Sequence, residues 1–558
     1  MSSIQKPARW LLLLVALSLI AAACGGGDDD AAPQADGTDV PADGGEGGVV
    51  STFVVEPEFL LPTNSSESEG NAVLEALCTT LVQFDVATTE MYMAHAESIE
   101  TDDLQTWTVT IKEGWTFHNG EPITAQSYVD SWNFAAYGPN AQQTANFFAN
   151  IQGFEDVAPA DPDGEEGPKE APEPSAETMS GLEVVDDTTF TVTLNEPFAQ
   201  FPLTVGYEAF CPMPQEAFDD PDAFNEEPIL NGPFMMDGPW EHDQAINVVR
   251  FEDYQGDDAA QIDGLEFRIY ADQATAYNDF LAGGLDIMDE LPPERIGTAE
   301  AEFGDHFGEA PDTSFGYIGF PLYVDALKDK DLRHAFSLAI DRQSITDVIF
   351  SGGRVPAGSF LAPGIPGYRE NACPDATYDP DKAKELYDKA GGWDGPLTLW
   401  FNSGGGHEEW MDAIANSYRE IFGIEEIKFE SLEFSEYLPL ADEKGFTGPF
   451  RLGWGMDYPS AQNFLEPLWA SASTPPGGSN SSFFRNDEFD ALVAEGNKQE
   501  DPDVALESYH AAEDILCEEM PGTPVYYGLN QFIWSDRVDG IAVDAFGNLA
   551  YDQITLAG

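Results

Sequence analysis

From residue 49 onward, short segments with a period of two alternate with segments of helical spacing, and the alternation continues to the C-terminus. "QTWTVTIKEGW" sets Trp107, Val109 and Ile111 on one side and threonines on the other, the pattern of a half-buried strand, and "NGEP" then turns the chain. "TAQSYVDSWNFAAY" follows as a helix with Thr124 as its N-cap. "AVLEALCTTLVQFD" places Val73, Leu74, Leu77 and Leu81 at helical spacing. "DPDKAKELYDKAGG" predicts a helix from Asp379 or Asp381 to Gly391, and "HEEWMDAIANSYREIFG" a long amphipathic one. "VVSTFVV", "LEFRIY" and "LTLWFN" read as strands. Such a chain folds into α/β lobes, and 558 residues exceed one ordinary domain and predict two to four. The Pro-rich acidic stretch 155–180 is expected to be an exposed loop.

The first 23 residues read as a leader: Lys6 and Arg9 form a basic start, and "WLLLLVALSLIAAA" is an apolar run of secretory length, short for a transmembrane span. Cys24 in "LIAAAC" resembles the acylated cysteine of a bacterial lipobox, although Ala21 stands where Leu is usual and "AAA" also suits an ordinary signal peptidase. Residues 25–48 are Gly, Asp, Ala and Pro with little to bury, a tether spanning roughly 25–30 Å as a flexible coil.

The chain carries 102 acidic and 23 basic residues, a formal net charge of −79. Binding phosphates needs a basic patch, so this balance argues strongly against nucleic acid as a partner. The acidity by itself reads as a solvated surface. Apart from Cys24 there are Cys78, Cys211, Cys373 and Cys517, an even count that predicts two disulfides among three possible pairings. None of these cysteines has metal-knuckle spacing, and no metal or cofactor is expected. "HEEWM" begins like a zinc-peptidase helix, but position 411 is Met. Nucleophile-elbow, P-loop and dinucleotide-binding motifs are absent, so no catalytic residue is expected.

"WTVTIKEGWTFHNGEPITAQSYVDSW" resembles the signature of family 5 solute-binding proteins of ABC importers, filled by Lys112, Gly114, Trp115, Phe117, His118, Asn119, Gly120, Pro122, Thr124 and Ala125. "VVDDTTFTVTL", "NGPF", "DLRHAFSLAIDRQSI", "YDPDKAKELYDKAG", "GWGMDYPS" and "PVYYGLN" follow in the family's order, spanning about residues 50–545. The resemblance implies a two-lobed, type II periplasmic-binding-protein-like α/β fold with a third domain and hinge closure around the ligand. It assigns 49–73, 181–312 and 529–558 to lobe I, 74–180 to the extra domain and 313–528 to lobe III, with hinge crossings near Phe315 and Tyr527. On that assignment the disulfides are Cys78–Cys211 and Cys373–Cys517.

The family motif R-x-G-W-x-x-D-Y reads here as Arg451, Gly453, Trp454, Asp457 and Tyr458. It implies that Asp457 accepts a peptide's α-ammonium, Arg451 meets an α-carboxylate and Trp454 forms a flat wall. "FNSGGGH" implies that Asn402 bonds the peptide backbone and His407 a carboxylate, and Tyr317 is a further aromatic candidate near the first crossing. Ordinary readings stay open: Asp457 as a loop cap, Arg451 as the partner of a nearby acid, Trp454 as core, His407 as an exposed helix start. The expected protein is an exported monomer, held by lipid on the outer face of the cytoplasmic membrane. It would bind oligopeptides and deliver them to ABC permease subunits. The alternatives are the same fold around a sugar, metal chelate or other small molecule, and a secreted hydrolase.

Overall fold

The structure is a computed structural model and describes residues 48–160, 172–403, 406–475 and 478–558. The leader, Cys24 and the tether to residue 47 lie outside the described residues, as does 161–171 of the Pro-rich stretch.

The largest sheet has eleven strands. Its middle is an antiparallel pair of 13-residue strands, Phe307–Gly319 and Gly522–Trp534. Phe450–Trp454, Leu397–Asn402 and Ile427–Leu432 extend it one way. Ile287–Met288, Val49–Val54, Gly264–Ile269, Ala245–Arg250 and Phe234–Met236 extend it the other way. Val49–Val54 runs parallel to Gly264–Ile269 and touches Ile287 on its other edge. Phe315 and Tyr527 face each other in register, and the ladder is irregular between Pro311 and Phe315.

A four-stranded antiparallel sheet, Ala96–Thr101, Thr106–Ile111, Thr189–Thr193 and Leu182–Asp186, packs with the helix Ala125–Ala136. Trp107, Val109 and Ile111 point into that core, as their alternation predicts, and meet Tyr128 and Trp132. Thr189–Thr193 bonds directly to Thr106–Ile111, and the same core continues to Phe210. The expected boundary at 180 therefore falls inside one sheet, and the packing changes near Cys211, which joins the core of Val50, Leu74 and Leu77.

Local chemistry explains most boundaries. Asp379 accepts the Lys382 N–H (2.9 Å), Pro380 opens the helix Pro380–Ala390, and Gly391 ends it. Trp410, Ile414 and Tyr418 line the buried face of Glu408–Phe422, and Gly423 (φ 74°) stops it in a conformation glycine adopts without strain. The helix expected to run on through Leu81 ends at Leu77 (Ser68–Leu77), with Cys78 extended. Beyond it, Thr79 donates its N–H to Asn231 Oδ1 (3.2 Å) and its carbonyl accepts from Asn231 Nδ2 (2.8 Å). Backbone groups bonded to a distant amide cannot propagate a helix. This explains "NGPF": Asn231 holds the chain, and a Cβ on Gly232 would stand 2.3 Å from the Leu77 carbonyl carbon. His118 does similar work, accepting the Leu230 N–H at Nδ1 and bonding the Gly232 carbonyl through Nε2, both at 3.2 Å. Burial lowers its pKa to about 4, so it is a neutral staple.

The four cysteines form two disulfides, Cys78–Cys211 and Cys373–Cys517, with Cα–Cα separations of 6.4 and 4.9 Å.

Candidate functional site

A cavity of about 1460 Å³ opens against the segment 451–457, with further walls from 53–94, 206–208 and 544–553. Roughly 300–1,000 Å³ is usual for a small-molecule site, so this one is large. Arg451, Trp454 and Asp457 all line it.

They stand there for local reasons. Phe450–Trp454 pairs with Gly319–Phe315, the chain leaves the sheet at Gly455, and Ser460 caps the next helix, Ala461–Trp469. Asn463, in that helix's first turn, reaches back to the strand end. Its Nδ2 donates to Asp457 Oδ2 (2.8 Å), and its Oδ1 accepts from the Asp457 N–H (3.0 Å) and from Trp454 Nε1 (3.4 Å). One amide thus fixes both residues. The Asp457 carboxylate accepts no backbone N–H and has no ion pair among the described residues, so it is not a loop cap. Burial raises its pKa, and the Asn463 hydrogen bond offsets part of that.

Arg451 also lacks an acidic partner among the described residues. Its Nη1 donates to Asn402 Oδ1 (2.9 Å), its carbonyl accepts from the Tyr437 hydroxyl (2.9 Å), and its buried Nε bonds nothing. The ordinary reading, an Arg neutralised by one of many neighbouring acids, does not hold here.

The other expected residues sit behind this wall. Asn402 is buried and orients Arg451. His407 is buried rather than exposed, and accepts from Trp410 Nε1 (3.3 Å). Burial and the Arg451 charge lower its pKa to about 3, so it is neutral, and with Nδ1 accepting from Trp410 its Nε2 carries the proton. Tyr317 is core: its ring stacks on Phe315 (5.3 Å) and meets Trp469 edge-on (5.4 Å). Tyr458 is buried against the helix and bonds Gln462.

A family model described as bacterial extracellular solute-binding proteins, family 5 Middle, matches residues 90–475. The chain belongs to family 5 of the bacterial extracellular solute-binding proteins. This family 5 protein is 24% identical over 522 residues to the oligopeptide-binding protein OppA of Bacillus subtilis, covering 89% of this chain and 90% of that one. It is 27% identical over 507 residues to heme-binding protein A of Haemophilus influenzae, covering 88% of each chain. Its fold superposes on the unliganded open form of the murein tripeptide binding protein MppA of Escherichia coli with a TM-score of 0.76 at 22% identity, covering 92% of this chain and 98% of that one. The expected two-lobed α/β solute-binding fold is thereby established. Among the described residues no helix is long and apolar enough to cross a membrane.

Sequence reasoning missed two parts of the site. Asn463 carried a weak signal, since "PSAQN" puts an amide in the first turn after a Ser cap. The other is an acidic wall. Thirteen Asp and Glu residues line the cavity against Lys112, Arg354 and Arg451, and none of the sixteen forms an ion pair among the described residues. Among 102 acids no sequence signal marks these thirteen.

This wall sets a pH dependence. Burial raises Glu208 from 4.5 to about 7 and Asp544 from 3.8 to about 6. Glu75 is also raised, by burial and then by the charges of Glu208 and Asp544. A carboxyl with a raised folded pKa keeps protons that the unfolded chain has released, so stability falls as pH rises through that interval. For the unliganded protein the melting temperature is expected to fall by several degrees between pH 4.5 and pH 8, with Glu208 and Asp544 contributing on the order of 1–3 kcal/mol each. Calorimetry across this range checks it; a melting temperature that is flat or rising would sink the assignment.

Proposed function

We propose that this family 5 solute-binding protein captures a short peptide in the cavity and hands it to an ABC permease. Asp457 would receive the α-ammonium, Arg451 a carboxylate or backbone carbonyl, and Trp454 would lie along the backbone. The observation that carries the reading is the pair of opposite charges on one wall, each anchored by an amide and each without an ion partner among the described residues. A buried charge without a partner is costly, and a peptide terminus carries the missing one. The relative described as oligopeptide-binding and the cavity volume support the same ligand class.

The paired Phe315 and Tyr527 on the two long strands support a hinge there, with closure of the lobes over the ligand. Cys24 would carry the acyl chains that keep the protein at the outer face of the cytoplasmic membrane, as a monomer.

A non-peptide solute is the second reading, favoured by the similarity to a heme-binding protein. Native mass spectrometry of the purified full chain, followed by calorimetric titration with tri- to pentapeptides, decides between them. Co-purifying peptides, or micromolar or tighter affinity for unmodified peptides, are expected. A co-purifying chelate with no peptide binding overturns the reading, and peptide cleavage that survives purification favours the hydrolase instead.

A further inference from the structure

We infer that Tyr526 is a further ligand-binding residue, whose hydroxyl and the Arg451 guanidinium together take the C-terminal carboxylate of the bound peptide. This rests on the peptide reading above and narrows it, since Arg451 then meets a carboxylate rather than a backbone carbonyl.

Two glycines in the middle of the large sheet place the pair. Gly453, Gly316 and Tyr526 stand in one row across three adjacent strands, Gly453 opposite Gly316 and Gly316 opposite Tyr526. Residues directly opposite each other in an antiparallel pair share a face, and Arg451, two positions before Gly453, shares it too. Glycine inside a strand weakens it and marks a place of close approach. A Cβ on Gly316 would stand 2.3 Å from Tyr526 Cζ, and one on Gly453 3.3 Å from Arg451 Nη2. The tip of the phenol therefore lies over Gly316 and the edge of the guanidinium over Gly453, and all four residues line the cavity. Cβ positions of opposite residues are about 4.5–5.5 Å apart, which puts Cζ and Nη2 no more than about 11 Å from each other.

Both side chains keep donors in reserve. Tyr526 is only 8% exposed, with Phe350 (4.9 Å) and Trp410 (5.7 Å) packed edge-on against its ring, yet its hydroxyl has no hydrogen-bond partner among the described residues. Its neighbour Tyr527 shows the contrast: that hydroxyl accepts the Ser359 N–H and donates to the Ser359 carbonyl, both at 2.9 Å. A buried tyrosine that only packs finds such a partner. Arg451 spends Nη1 on Asn402, while Nε and Nη2 bond nothing among the described residues. A guanidinium only donates, and a phenol can donate beside it, so the gap between them suits a group with two acceptor oxygens and a negative charge. A carboxylate with a hydrogen bond of about 2.8 Å on each oxygen spans roughly 7–8 Å between donors, within the separation set by the two glycines. A backbone carbonyl brings one oxygen and no charge.

The test is calorimetric titration of the full chain, as wild type and as Tyr526→Phe, with tetra-alanine and with tetra-alanine amide. Wild type is expected to bind the free acid at least about tenfold more tightly than the amide, as hydrogen bonds to a charged group require. Tyr526→Phe keeps the ring on Gly316 and removes only the hydroxyl. It should weaken the free acid by about tenfold and the amide by less than about threefold, with an unchanged melting temperature. Equal wild-type affinities for acid and amide overturn the carboxylate site without any variant. A variant that loses nothing, or loses the same factor for both peptides, overturns the role of Tyr526 and leaves the peptide reading standing. No binding of either peptide to wild type overturns the peptide reading and this inference with it.

Discussion

Asp457→Asn is expected to weaken binding of a tetrapeptide with a free N-terminus by about a hundredfold. The carboxylate has one side-chain hydrogen bond, from Asn463, and its remaining lone pairs face a cavity. Hydrogen bonds between charged partners are worth roughly 1.5–3 kcal/mol, which corresponds to about 10- to 150-fold in affinity. The substitution keeps the shape but removes the charge, and an amide nitrogen turned toward an ammonium adds a donor where only acceptors are useful. N-acetylating the peptide should cost wild type a similar factor and cost the variant little, because both changes remove the same interaction. Calorimetry on the four combinations measures this. Full additivity of the two losses would place the ammonium elsewhere in the cavity.

The second large effect is on stability. Cys373 and Cys517 are 144 positions apart and join the loop after Gly358 to the helix Pro502–Glu519. Closing so long a loop in the unfolded chain is worth about 4–5 kcal/mol in the chain-entropy account, and measured losses for native disulfides run at roughly 2–5 kcal/mol. Cys373→Ala with Cys517→Ala should therefore lower the unfolding free energy by about 2–5 kcal/mol. Cys373 is fully buried among apolar neighbours, so Ala is a better replacement than Ser, whose hydroxyl would need a partner. Thermal unfolding of the variant beside the oxidised wild type tests it; a melting temperature within a degree of wild type would show that packing alone holds this region.

Elements with strong local signals were legible in the sequence. Asp379, Pro380 and Gly391 bracket one helix, and the period-two run Trp107, Val109, Ile111 lands in a core as read. Reading failed where long-range partners decide. Leu81 fits helical spacing, yet Asn231, some 150 positions away, takes the backbone groups that would have extended the helix. The strand Leu182–Asp186 and its neighbour belong with Thr106–Ile111, a pairing that no local pattern states. At the site, the motif residues Arg451, Trp454 and Asp457 were visible because they sit within seven positions on one strand and its exit. Tyr317 was misjudged because it shares a face with Phe315, which lines the cavity, yet sits one step further along the strand, packed between Phe315 and Trp469. Glu75, Glu208 and Asp544 come together only through the fold.

The sheet order also constrains how the chain is assembled in time. Val49–Val54 is synthesised well before its neighbours, Gly264–Ile269 and Ile287, which follow more than 200 positions later. The central strand Phe307–Gly319 likewise waits about 200 positions for Gly522–Trp534. A ribosome adds about 5–20 residues each second, so the first strand spends roughly ten seconds or more without a partner. Its six residues, VVSTFV, are apolar and rich in β-branched side chains, the composition that pairs readily with the wrong edge. Delayed closure therefore makes the newborn chain vulnerable at this strand, and a chaperone that holds this segment open would protect the whole sheet.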